Sequence, residues 1–210
     1  MLLGGSDTAP TIMEWAMSEL LKNPPVLRKI QQELEHVVGF DRMVCESDLP
    51  RLVYLQAVVK ETLRLYPQGS ILFRHLDSAE ACNVLGYEIP QNTRVFVNSW
   101  AIGRNPKSWE NAESFQPERF MEGVGSEVDS SGDQNCEWLS FGAGRRRCPG
   151  KQLGMLVVEF GLAQVLHCFN WRLPMDELDM TEKFNGITAP RAHDLLAIPT
   201  ARLEWIAHLE

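Results

Sequence analysis

Ten consecutive residues, Phe141-Gly-Ala-Gly144-Arg-Arg146-Arg-Cys148-Pro-Gly150, carry the strongest chemistry in the chain. Cys148 stands behind a glycine-bearing turn and three arginines, and an apolar run begins just after Gly150. Positive charge and the free amides of a helix start both favour the ionised sulfur. That thiolate is a soft metal ligand. A lone free cysteine is more often a small buried side chain with no such role. The spacing Phe-x-x-Gly-x-Arg-x-Cys-x-Gly argues for the ligand instead.

This spacing resembles the signature loop of the cytochrome P-450 family. The resemblance implies haem b with Cys148 as its axial thiolate, a ligation that pushes electron density onto the iron and favours O–O cleavage. It also implies that Arg146 pairs with a haem propionate, for which a planar guanidinium fork is suited. Phe141 would pack on the proximal side and keep water from the iron–sulfur bond. Gly144 is expected at a positive φ that a side chain disfavours, and Gly150 completes the motif. Ser140 stands where many relatives carry proline, and it is expected to loosen the entry to the loop.

A second constellation lies upstream. Glu61 and Arg64 are three apart on an expected helix, hence on one face. Alone, such a pair is usually a solvated surface contact. Within Leu52–Leu65, an apolar stretch, and with Pro117-Glu118-Arg119-Phe120 downstream, it is similar to the family's buried triad, here Glu61, Arg64 and Arg119. Such charges are costly to bury unless every partner is present, so the triad is read as a structural brace. By the same resemblance Gly69, Ser70, Ile71, Leu72 and Ile187 are substrate-pocket candidates, although core packing explains their character equally well. Arg74 or His75 would contact the second propionate.

The opening segment Gly4-Gly5-Ser6-Asp7-Thr8-Ala9 leads into a helical stretch. It resembles the oxygen-binding segment of the family's central helix, which makes Asp7 and Thr8 the catalytic candidates for delivering protons to bound O2. The competing reading is a flexible start followed by a helix cap. Ala9 lacks the hydroxyl common at that position, and Pro10 is expected to kink the helix.

Elements must position these groups. Helices are expected to about Lys22, from Pro24 through Val38, from Leu49 to Tyr66, and from Lys151 to Cys168, the last buried on most faces. Residues 82–89 and 93–98 are expected to pair as a hairpin. Residues 106–120 form a meander, 122–135 a mobile loop, and short strands surround Pro190 and Pro199. The fold class is mainly α with small β-sheets. With the motifs in family order, residues 1–210 resemble a single partial domain: the C-terminal half of the P-450 fold, beginning within the oxygen-binding helix.

Composition agrees. A net charge of −8 disfavours nucleic acid, and no 18-residue apolar run marks a membrane span. Five cysteines without paired spacing favour a reducing compartment, and the histidines show no zinc-binding arrangement. The resemblance implies a monooxygenase acting on an apolar or aromatic substrate, fed by NADPH through a flavoprotein reductase. It places the parent enzyme on the cytosolic face of the endoplasmic reticulum membrane, plant microsomal in type and suited to secondary metabolism. Any membrane association is expected through a missing N-terminal part, leaving this chain cytoplasmic. Arg145, Arg147 and Lys151 form a basic patch that either docks that reductase or is merely solvated. Two alternatives stay open: an inactive haem-binding or interaction fragment, and a family isomerase or dehydratase needing no reductase.

Overall fold

The computed structural model describes residues 2–75, 81–121, 136–175, 177–183 and 188–204. Helices α1 (Leu2–Ser6), α2 (Thr8–Lys22), α3 (Pro24–Val37), α4 (Val53–Leu65), α5 (Ser99–Gly103) and α6 (Lys151–Cys168) supply most of the regular structure. Strands β1 (Ile71–His75), β2 (Cys82–Val84), β3 (Tyr87–Ile89), β4 (Arg94–Asn98), β5 (Phe169–Arg172) and β6 (Ile198–Ala201) pair only in antiparallel couples. The expected class is therefore observed.

The core lies where α2, α3, α4 and α6 meet, around Leu20, Ile30, Leu34, Leu55, Val58 and Leu162. The amphipathic α3 buries Ile30 and Leu34 and leaves charges outward. Its Pro24 opens the helix, where a missing N–H costs nothing.

Several boundaries differ from expectation. The helix bearing Glu61 starts at Val53, not Leu49; Glu46–Arg51 is a separate 3-10 turn containing Pro50. Proline disfavours α geometry in the residue before it, and Asp48 fixes the turn by accepting from the Cys45 amide at 2.9 Å and from Arg42 and Arg51. The first residues of α4 carry no local cap. Glu33 of α3 supplies one across the core, accepting the Tyr54 and Leu55 amides at 2.7 and 3.0 Å.

The hairpin also differs. Cys82–Val84 pairs with Tyr87–Ile89 around Leu85 and Gly86, at φ 51° and 88°, the left-handed pair a tight hairpin turn needs. Strand β4 pairs instead with β1, with Ile71 opposite Asn98 and Phe73 opposite Phe96. The run Ile71-Leu72-Phe73 carried too few strand residues to reveal that partner. The expected mobile loop at 122–135 lies outside the described residues.

Helix α6 is buried as expected over its C-terminal part but open in its first two turns. Val158, Leu162 and Leu166 enter the core, but Leu153 is 67% exposed and Val157 44%. Its exposed residues, Gln152, Leu153, Leu156 and Val157, all lie in its first two turns, and none from Val158 to Cys168 is exposed.

Candidate active site

The cysteine loop closes on itself. Gly142 and Gly144, at φ 71° and 67°, both occupy the left-handed region, of which only Gly144 was anticipated. The chain then returns so that the Cys148 amide donates to the Phe141 carbonyl at 2.8 Å and the Arg147 amide to that of Gly144 at 3.1 Å. Cys148 stands exposed on this loop. Gly150 has an ordinary φ of −93° and serves as the residue from which α6 starts, its carbonyl accepting the Gly154 amide at 2.7 Å.

Ser140 does the opposite of loosening the loop. Its hydroxyl donates to the carbonyl of Leu63 at 2.8 Å, a carbonyl in the last turn of α4 that has no helical donor of its own. The loop's entry is thus fastened to the ionic helix.

That helix carries the triad. Arg64 donates to both oxygens of Glu61, at 2.6 and 2.8 Å, and Arg119 donates to Glu61 at 3.1 Å. The Gln116 amide adds a further donor at 2.8 Å. Glu61 and Arg64 are buried, and the remaining Arg64 donors reach the carbonyls of Gly103, Ala112 and Ser114. Gly103 has no substitute there, because a Cβ would lie 2.3 Å from the Arg64 carbonyl oxygen. Each charged group therefore has an opposite charge beside it and its remaining donors reach carbonyls, which is the condition for burying such a group.

An aromatic series connects the triad to the loop. Arg64 and Arg119 both lie over the Trp109 ring, 5.4 and 5.9 Å from its centroid. Trp109 meets Phe120, Phe120 meets Trp138, and Trp138 meets Phe141, with centroid separations of 5.6, 6.3 and 5.9 Å. Lys151 places its ammonium 5.6 Å from the Trp138 centroid. Phe141 is thereby set from behind.

The opposite wall comes from the chain start. The helix breaks at Asp7, between α1 and α2, so Pro10 falls in the first turn of α2, where its lost donor is tolerated. Asp7 occupies the cap position but makes no side-chain cap bond. Thr8 turns its hydroxyl back to the Gly4 carbonyl at 2.8 Å.

A cavity of about 320 Å³ joins the two walls. Phe141, Arg146 and Cys148 line it together with Gly4, Thr8, Gly69 and Leu72. Asp7, Ser70, Ile71 and Gly150 do not line it; Asp7 is exposed and Ile71 is 55% exposed. Ile71 faces outward because β1 alternates its side chains, which sends Leu72 in. Ile187 lies outside the described residues, and Arg74 and His75 enter only as the backbone of β1.

Sequence inspection missed Ile12, Leu63, Gln68, Met155 and Val158, which also line the cavity. Ile12 was legible, being one turn beyond Thr8 on the same helical face. Met155 and Val158 follow from the side of α6 turned to the loop, which no local pattern marks.

The segment after α4 is held by buried polar pairs. Tyr66 stacks on Trp15 at 3.9 Å and donates its hydroxyl to Glu19. Burial raises the Glu19 carboxyl above the usual carboxylate range, and burial beside that carboxyl pushes the Tyr66 phenol far up. Ser99, at the start of α5, donates to the carbonyls of Gly69 and Ser70.

The donor set suits a haem. Cys148 is a soft, accessible ligand on the cavity wall, Arg146 is a guanidinium at the same wall, and Leu63, Leu72, Ile12 and Val158 give apolar surface.

Comparison with known proteins agrees with this geometry. Residues 1–197 match the family model for cytochrome P450. Cytochrome P450 93A3 of Glycine max is 50% identical over 97% of this chain, and cytochrome P450 CYP736A12 of Panax ginseng 52% over 94%. The 3,9-dihydroxypterocarpan 6A-monooxygenase of Glycine max is 46% identical over 97%. The chain spans 39%, 39% and 40% of the length of these relatives. A zebrafish cytochrome P450 solved with progesterone superposes with a TM-score of 0.81 at 32% identity, over 95% of this chain and 43% of that one. A cysteine loop braced by a buried ionic triad, facing a threonine-bearing helix and matched in sequence across nearly its whole length, makes this chain a member of the cytochrome P450 family.

Proposed function

We propose that these residues serve a haem-thiolate monooxygenase, which inserts one atom of O2 into an apolar or aromatic organic substrate. The observation that carries this is the cavity itself, which Cys148, Arg146 and Thr8 line together. Bound haem would supply the redox chemistry, with electrons from NADPH through a flavoprotein reductase.

The chain's own groups have separate tasks. Cys148 Sγ would hold the haem iron as its thiolate ligand, and Arg146 would pair with a haem carboxylate. Phe141, fixed by Trp138, shields the sulfur from water. Thr8 spends its own hydrogen on Gly4, so its oxygen lone pairs accept from a water and hold that proton source beside the reacting oxygen. Asp7, exposed and outside the cavity lining, links to that water only through solvent. Leu72 and Ile12 bind substrate by apolar contact, with Gly69 leaving room.

Arg145 and Arg147 are exposed beside the loop, and with Lys151 they give a basic face for an acidic reductase in an otherwise acidic chain. Replacing Arg145 and Arg147 by Glu is expected to slow reduction at unchanged haem content; equal reduction rates would remove the docking role. We place the working enzyme on the endoplasmic reticulum membrane, as the family resemblance suggests. No helix among the described residues is long and apolar enough to cross a membrane.

The test is ¹⁸O2 labelling of a full-length domain carrying these residues, reconstituted with reductase and NADPH and offered a panel of aromatic substrates. One labelled oxygen per product supports the monooxygenase. Turnover of organic peroxides without NADPH, and no labelled product, would favour the isomerase or dehydratase.

A further inference from the structure

Trp15, Tyr66 and Glu19 form a buried group outside both the cavity lining and the ionic triad. The two rings lie nearly parallel, at 5° and 3.9 Å between centroids, which is direct contact. Trp15 is fully buried and Tyr66 is 7% exposed. Trp15 stands one helical turn beyond Ile12, which lines the cavity. A pair of oxidisable rings therefore begins beside the proposed haem cavity.

Both rings can lose an electron, but only the phenol has a base waiting for its proton. Tyr66 donates its hydroxyl to Glu19 Oε1 at 2.5 Å. Asn23 Nδ2 donates to Oε2 at 3.1 Å, so both Glu19 oxygens accept, as those of a carboxylate do. The Trp15 N–H instead goes to the Ala189 carbonyl at 2.9 Å, an oxygen that cannot keep a proton. Burial beside Glu19 pushes the phenol far up, so at rest it stays protonated. Taking an electron alone would leave a buried cation, which is costly away from water. Moving the proton to Glu19 at the same time leaves a neutral phenoxyl beside a neutral acid. That transfer also discharges a carboxylate whose ionised form burial already disfavours.

Resting on the haem-thiolate reading, we propose that Tyr66, stacked on Trp15, is a redox-active residue that gives one electron to peroxide-oxidised haem when no substrate consumes the oxidant. The phenolic O–H bond breaks, its proton passes to Glu19 Oε1, and one electron leaves the Trp15–Tyr66 stack. The haem is thereby reduced by one electron and Tyr66 oxidised by one. An electron delivered to the haem by the reductase then returns to Tyr66, and Glu19 gives the proton back. The pair would thus spare the cavity walls from an oxidant left without a substrate.

The test is freeze-quench electron paramagnetic resonance of a full-length domain carrying these residues, loaded with haem and mixed with hydrogen peroxide in the absence of substrate. A neutral tyrosyl signal is expected in the unaltered protein. Tyr66→Phe keeps the stacked ring and should lose that signal. Glu19→Gln keeps an acceptor but removes the base, and should lose it as well. No tyrosyl signal in the unaltered protein overturns the proposal and needs no variant to fold. A signal of equal size in Tyr66→Phe or in Glu19→Gln overturns it too. The ferric haem signal is recorded before peroxide is added. If it lacks thiolate character, the haem-thiolate reading fails and the proposal with it.

Discussion

The Ser140 hydroxyl and the Leu63 carbonyl, 2.8 Å apart, join the loop that carries Cys148 to the helix that carries Glu61 and Arg64. One bond thus couples the ligand-bearing turn to the ionic brace, at a residue whose departure from the family pattern suggested weakness. Ser140→Ala is expected to destabilise the chain by about 1 kcal/mol, the usual net value of one such bond. Urea unfolding measures it, and haem retention should fall in parallel. Unchanged stability and retention would show that the bond contributes nothing.

Glu61 is the hub of its network, and its loss strands two cations. Glu61→Gln leaves Arg64 buried without its counter-charge, which is expected to cost roughly 3–5 kcal/mol. Arg119→Gln, at the more open edge, should cost less. Unfolding midpoints of the two variants decide this, and an equal, small effect would mean the brace is not electrostatic.

Much of this arrangement was legible in the sequence because the relevant signals are local or paired by motif. The Cys148 loop, the i,i+3 pair of Glu61 and Arg64, and the α3 start at Pro24 each depend on neighbours a turn away. What escaped depends on distant partners. Strand β1 is defined by β4, the α4 cap comes from Glu33, and Trp109 matters because two arginines from separate motifs lie over it. The open first turns of α6 misled for a different cause: an apolar helix reads as buried along its whole length.

His167 is fully buried, donates Nε2–H to the Arg42 carbonyl at 3.0 Å, and has no partner for Nδ1 among the described residues. Burial lowers its imidazole from the ordinary 6.5, so the fold holds the ring neutral. The unfolded chain takes up the proton first as pH falls. Stability from this neutral ring is complete above about pH 6.5 and is lost as pH drops toward the depressed folded value. His167→Gln should flatten the loss of stability as pH falls below about 6.5. A slope identical to the parent's would assign the acid sensitivity elsewhere.

Gly144 holds φ at 67°, so Gly144→Ala imposes backbone strain whatever the free space around it. A cost of about 1–2 kcal/mol is expected, concentrated in the loop, with α4 and the core unaffected. Hydrogen exchange resolves the two: faster exchange at the Cys148 amide, which bonds Phe141, with unchanged protection in α4. Uniform acceleration would contradict a local role.

The central claim is that Cys148 is the thiolate that holds haem against this cavity. Its most direct test is the carbon monoxide difference spectrum of the reduced, haem-supplemented 210-residue chain, beside Cys148→Ser. The account predicts a thiolate-type Soret band in the parent and its loss in the serine variant. A band that persists in Cys148→Ser, or none in either protein, would contradict it.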